Sequence, residues 1–255
     1  MPDSFIDIKH GVVLAELGGY GDGFYCAKHG KGASLVLLGT YIVDRGEYVP
    51  YPEDFVFKPG RDNYAEYLKT HVAEARKSGA KVGVSVISVE IEDSVDFLLA
   101  AQEAGADYIS LCAVSEMEMF TSRSLGIELC RAENHEILAK WTSAIVNAVD
   151  LPFILKVGFA EHEDMSVTLH TARNSGAQAA HININKLNPA TGGLALSRLD
   201  KNGLFIIAGG GVRDTISAKR VIELGADAVS VAKAAMEDPE LCGNIQKDLQ
   251  HLRQS

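Results

Sequence analysis

Eight times along the chain a short apolar, β-branched run gives way to an amphipathic stretch, and this alternation restricts the fold more than any other feature. The predicted strands are Val12 to Ala15, Leu35 to Gly39, Val82 to Ile87, Tyr108 to Leu111, Phe153 to Lys156, Ala179 to Ile184, Phe205 to Ala208 and Ala228 to Val231. Between them lie stretches whose apolar residues recur at three- and four-residue steps, as helices require: Asn63 to Lys77, Ser94 to Ala104, His135 to Val149, Met165 to Asn174 and Ile216 to Leu224. Three helix ends carry related phrases, KSGAK, EAGAD and ELGAD, in which a glycine can stop the helix in the left-handed conformation just before the next strand. Short helix-to-strand links build parallel sheets. Eight such units in 255 residues match an α/β chain folded as one (β/α)8 TIM barrel over residues 1–255, with an open doubly wound sheet as the rival.

Composition narrows the function. With 24 Lys and Arg against 34 Asp and Glu the formal charge is −10, which disfavours general nucleic-acid binding. The 47% of hydrophobic residues can fill a real core. No apolar run is long enough for a membrane span, and the start MPDSFIDIKHG lacks a secretory leader, so a cytoplasmic protein with no membrane partner is expected. Cys26, Cys112, Cys130 and Cys242 show neither zinc-ligand nor disulfide-framework spacing and read as thiols, with no metal expected.

In a barrel, chemistry sits at the C-terminal ends of the strands and in the loops that follow them. The loop from about Tyr41 to Arg61, with Asp44, Arg45, Tyr48 and Tyr51, is either a substrate lid or a packed excursion. The segment from Cys112 to Arg131 carries Glu116, Met117, Met119, Arg123 and Arg131, and packing is the favoured role of its methionines. The strongest signal is LFIIAGGGVRDTISAKRVIELGADAVSVAKAAM. There a strand runs into Gly209, Gly210 and Gly211 before a helix that Asp214 can cap, and the next strand leads into Ala232, Lys233 and Ala234. Glycines let backbone amides approach a phosphate, and free amides at a helix start attract an anion, so the two loops together describe a phosphate site.

Two further strands end in polar residues. In PFILKVG, alternation sets Ile154, Lys156 and Gly158 on one side and Phe153, Leu155 and Val157 on the other. Burying the Lys156 ammonium requires an anion, either a ligand or a carboxylate such as Glu16. In AAHININ, Ala179, His181, Asn183 and Asn185 share a face, with ligand contact favoured for Asn183 and a structural role for the deeper His181.

These motifs resemble those of the flavin mononucleotide (FMN) barrels that include dihydroorotate dehydrogenases and tRNA-dihydrouridine synthases. LAELGGYGDGFY is similar to the first-strand motif of the dihydrouridine synthases, with Glu16 in place of a proline. The stretch from SRSLGIELCRAENHEILAKW to PFILKV looks like the one that reaches that family's lysine, here Lys156. Asn183 falls where an Asn or His lies under flavin or substrate, and the terminal glycine and Ala-Lys-Ala segments match the flavin phosphate site. The chain resembles a divergent, archaeal-type offshoot of this group. The resemblance implies an FMN-dependent oxidoreductase acting on a small-molecule double bond. It implies cofactor contacts at Ala15, Gly18, Ser85, Lys156, Asn183, Gly209 to Gly211 and Ala232 to Ala234, with Lys156, Ser115 and Cys112 as catalytic residues.

The departures lie at the ring end. Ser85 stands where a glutamine usually contacts the flavin ring, Cys112 falls on an asparagine, and Ser115 falls on the catalytic cysteine. tRNA is an unlooked-for partner, because the charge is acidic, Ser115 is a weak acid, and about 20 residues follow the eighth strand where the synthases carry a tRNA-binding domain. A homo-oligomer is left open. Two alternatives stand beside the flavoenzyme: a flavin-free phosphate-binding lyase, isomerase or synthase using Lys156, and a non-catalytic ligand-binding barrel.

Overall fold

The computed structural model describes residues 2–46, 50–158, 165–184 and 196–251. Tyr48 and Asn185 lie outside the described residues. Eight strands form the barrel: β1 (Val12–Leu14), β2 (Leu35–Val43), β3 (Lys81–Ser88), β4 (Tyr108–Ala113), β5 (Phe153–Gly158), β6 (Ala179–Asn183), β7 (Phe205–Gly209) and β8 (Ala228–Val231). Each pairs in parallel with the next, and β1 pairs with both β2 and β8. The sheet therefore closes, which excludes the open doubly wound alternative.

Closure follows from the linkers. Gly79, Gly105 and Gly225, the glycines of the three repeated phrases, have φ of +83°, +87° and +109°, and each hands the chain to a strand within a few residues. The helices Ala65–Ala75, Ile91–Glu103, His135–Ala148, Met165–Asn174 and Thr215–Glu223 fall on the predicted amphipathic segments. Gly23–His29 is a helix the periodicity did not reveal, because it is only two turns long. Asp22 starts it by accepting a hydrogen bond from the Tyr25 amide at 2.7 Å.

β2 is longer than predicted. It bends at Gly39 (φ +100°), where its pairing with β3 shifts register, and then resumes through Tyr41, Ile42 and Val43, all buried. The short strand Val56–Phe57 pairs with this extension. Tyr41 packs against Phe55, Phe57, Tyr67 and Phe97, so this part of the long loop is tied down by aromatic contacts.

Strand alternation sorts the core into two layers. Val13, Leu37, Tyr108, Ile154, Phe205 and Ala228 belong to one cluster inside the barrel, while alternate residues such as Val12, Val36, Val84 and Leu155 belong to the layer under the helices. A 3-10 turn, Asp3–Ile8, adds Phe5 and Ile8 to the inner cluster. Phe5 stacks on Phe205 at 5.1 Å, and the Tyr108 hydroxyl donates to the Ser4 carbonyl at 2.6 Å. The N-terminal end of the barrel is thus plugged. Phe5→Ala should cost about 3–5 kcal/mol through the lost aromatic surface and the cavity left behind. A denaturant midpoint within error of wild type would show that the plug is dispensable.

Toward the C-terminal strand ends the barrel interior turns polar. Ser85, Ser110, Lys156, His181 and Ser230 are all buried there.

Candidate active site

Two adjoining cavities open at the C-terminal end of the barrel, one of about 460 Å³ and one of about 260 Å³, and Glu16 and Lys156 line both. The larger runs from Ala15, His181 and Asn183 to the loops after β7 and β8. The smaller lies between Gly18, Thr40, Tyr51, Cys112, Ser115 and Met117.

At the outer end of the larger cavity the three glycines have separate physical jobs. A Cβ on Gly209 would lie 1.9 Å from the Ser230 Oγ, so glycine is needed to let β8 place its hydroxyl there. Gly210 and Gly211 have φ of +116° and +80°, a region other residues enter only with strain. Asp214 then caps the following helix, accepting from the Ser217 amide at 2.8 Å. Ala232, Lys233 and Ala234 face the glycines across the cavity at the start of Lys233–Glu237, with Arg213 and Glu237 also on its wall. Sequence reasoning did not single out Arg213 or Glu237.

The inner end holds a buried charge chain. The Lys156 Nζ lies 3.2 Å from the Glu16 Oε1, and the Glu16 Oε2 lies 3.3 Å from the His181 Nδ1. The other ring nitrogen of His181 lies 2.8 Å from the Ser230 Oγ. Burial opposes ionisation of Glu16, but Lys156 and then His181 outweigh it and hold the carboxyl down at about 2. Burial lowers the His181 pKa below its ordinary value, against the pull of Glu16. Although close, the Glu16 and His181 contacts are not aligned as hydrogen bonds, so both carboxylate oxygens and the Nδ1 atom keep hydrogen-bonding capacity in a fully buried place. The strand register builds this chain: Cys112, Lys156 and His181 are direct neighbours across β4, β5 and β6. Of its members, Ser230 went unread in sequence, although Ala228, Ser230 and Ala232 alternate onto the inner face in the same way as Lys156.

The predicted residues separate clearly. Ala15, Lys156, Asn183, Gly209 to Gly211 and Ala232 to Ala234 line the larger cavity, and Gly18, Cys112, Ser115 and again Lys156 line the smaller. Ser85 is on neither wall. It is fully buried, with its hydroxyl 3.2 Å from that of Thr40, and Thr40, itself buried, lines the smaller cavity in its place. Gly18 makes room for Tyr51, whose hydroxyl would lie 1.7 Å from a Cβ there and which donates to the Thr40 carbonyl. The long loop therefore both packs and lines the site. Met117 lines the smaller cavity, while Met119 packs against the core. Burial raises the Cys112 thiol above its ordinary pKa, and the Ser115 hydroxyl accepts a long 3.4 Å contact from the Met117 amide.

The protein-family model described as histidine biosynthesis protein matches residues 196–253, the part that carries the glycine triplet and Ala232 to Ala234. No match is found among curated proteins. Three solved structures share the fold. DHODH from Eimeria tenella in complex with ferulenol aligns over 95% of this chain and 81% of its own, at 16% identity and a TM-score of 0.69. Mandelate oxidase with (S)-2-phenylpropionate aligns over 100% and 77%, at 15% identity and TM-score 0.59. A FabK variant from Thermotoga maritima aligns over 91% of this chain at 14% identity and TM-score 0.59, and the chain spans only 63% of its length. At these identities the likeness speaks for architecture, and by architecture this chain is a (β/α)8 barrel of the kind that those three enzymes share.

Proposed function

We propose that this barrel is an FMN-dependent oxidoreductase acting on an activated double bond of a small molecule. The observation that carries the reading is the pair of cavities meeting at Lys156 and Glu16, one of them ending in the Gly209–Gly211 and Ala232–Ala234 loops. That shape suits a ligand with a phosphate at one end and a ring at the other, beside a pocket for a second reactant. DHODH, one of the fold neighbours, belongs to the group that the sequence motifs resemble.

The residues present fit FMN at the phosphate end, where positive-φ glycines present amides without side chains. We assign its ring to Lys156 and Asn183, which line the larger cavity, and not to Ser85, which is buried beside Thr40. When bound, FMN supplies hydride exchange at its N5 atom. The chain's own contribution is positional and electrostatic. Lys156 holds a positive charge at the junction of the cavities, Glu16 keeps that ammonium in place, and Tyr51 and Met117 wall off the smaller cavity beside it.

The visible spectrum of purified protein and a titration with FMN and riboflavin test the reading. Saturable FMN binding, with riboflavin much weaker, is expected. No flavin binding at all would overturn it. A flavin-free phosphate-binding enzyme is the second reading, favoured by the histidine-biosynthesis family match, which covers the phosphate end and stops short of Lys156. Phosphate binding without flavin binding, together with borohydride trapping of Lys156 by a carbonyl substrate, would establish it.

We also propose that tRNA is not the substrate. A charge of −10 gives little counterion-release affinity, and Arg131 of the basic segment is paired with Glu128. Incubating reduced, FMN-loaded protein with unmodified tRNA should yield no dihydrouridine. Catalytic formation that disappears in Ser115→Ala would contradict this.

A further inference from the structure

We infer that His181 is the acid–base group of this site, taking up a proton when an anion enters the larger cavity and thereby turning the Ser230 hydroxyl toward that anion. The inference rests on the phosphate-binding part of the proposed function, but not on flavin. Among the described residues that line the two cavities, His181 is the one imidazole, the side chain that ordinarily titrates near neutrality. Ser115 and Cys112, which the family resemblance offers as proton donors, are a weak acid and a thiol raised by burial.

The two ring nitrogens face different partners. Nδ1 faces a carboxylate oxygen of Glu16 at 3.3 Å, and Nε2 faces the Ser230 Oγ at 2.8 Å. In the neutral ring one nitrogen carries hydrogen. With that hydrogen on Nδ1, toward Glu16, the Ser230 hydroxyl donates to Nε2. In the imidazolium both nitrogens donate, so the Ser230 oxygen becomes an acceptor and its hydrogen must point elsewhere. Ser230 lines the larger cavity, so that hydrogen is free to turn into it, toward the space framed by Gly209 and Gly210. One proton enters from solvent and resides on Nε2, and no bond other than hydrogen bonds changes.

Charge supplies the driving force. Glu16 and Lys156 cancel, leaving a neutral His181 in a buried chain with no net charge. Among the described residues, the remaining charged groups on the cavity wall are Arg213, Lys233 and Glu237 at its outer end. An added anion makes the surroundings of the imidazole more negative and favours its charged form. The free protein holds His181 neutral at neutral pH, because burial lowers it below the ordinary 6.5. Uptake should therefore be largest between the lowered midpoint of the free protein and the raised midpoint of the anion complex.

Sulfate is the first probe, because it does not titrate in this range, with FMN in parallel. Calorimetric titration at neutral pH and at several steps below it, each in two buffers of different ionisation enthalpy, gives the number of protons bound. A fraction of a proton up to one is expected for wild type, and none in His181→Asn. Ser230→Ala should keep the uptake but weaken sulfate binding several-fold, on the order of 5-fold for one lost hydrogen bond. If His181→Asn fails to fold, nitrogen-15 imidazole spectra of wild type decide: one histidine whose midpoint rises with sulfate supports the inference, and none overturns it. Anion binding without uptake, or with equal uptake in His181→Asn, overturns it too. An unchanged affinity in Ser230→Ala overturns the part given to the hydroxyl. Sulfate uptake without FMN binding leaves the inference standing and defeats the flavin reading. FMN binding without uptake does the reverse, and failure of both probes to bind defeats both.

Discussion

Gly210→Asp should abolish measurable binding of FMN, with a loss of at least about 100-fold in affinity, or roughly 2.7 kcal/mol. Two independent effects add. Gly210 sits at φ +116°, which an aspartate can adopt only with strain, so the loop must move away from its present course along the cavity wall. The new carboxylate would also stand where the proposed phosphate lies, and like charges at close range in a poorly solvated pocket repel strongly. The fold should survive, because Gly210 is partly exposed and lies beyond the last residue of β7. FMN fluorescence titration and thermal melting read the two effects separately. Unchanged FMN affinity in a folded variant would show that the phosphate site lies elsewhere.

Lys156→Met should destabilise the protein by about 3–5 kcal/mol, because it leaves the Glu16 carboxylate buried and uncompensated. Adding Glu16→Gln should recover most of that loss, since two neutral side chains no longer carry the cost of a lone buried charge. The double variant also separates the two roles of Lys156. If the lysine serves only to neutralise Glu16, the double variant binds FMN like wild type; if it touches ligand as proposed, stability returns and affinity does not. Urea midpoints and FMN titration of the two single variants and the double variant give both answers. The same pair predicts an acid dependence. Glu16 is held at about 2, below its ordinary 4.5, so its contribution to stability is complete above about 4.5 and is lost as pH falls toward 2. In Glu16→Gln that part of the acid sensitivity should vanish.

The alternation of apolar runs with amphipathic stretches determined a parallel α/β sheet, because a strand buried on both faces must be apolar along its length and the glycine of each repeated helix-end phrase must adopt positive φ, as Gly79, Gly105 and Gly225 do. Closure into a barrel was decided only by the pairing of β1 with β8. Local logic also made the proposed phosphate loops legible: Gly209 to Gly211, Asp214 and Ala232 to Ala234 end or follow two successive strands, so their joint meaning needs only that those strands be neighbours. Lys156 and Asn183 were legible as inward-facing by period-two alternation alone. The buried chain was legible only in fragments. Glu16, Lys156, His181 and Ser230 come from four different strands or strand ends, and which atoms meet depends on barrel closure and on register between neighbours. Thr40 displaced Ser85 from the cavity wall for the same kind of reason: a bend at Gly39 advances β2 relative to β3, and no local pattern announces that shift. The N-terminal plug was invisible because Phe5 and Ile8 show no period of their own; only a closed barrel, with an open lower end lined by Tyr108 and Phe205, gives them a place to bury.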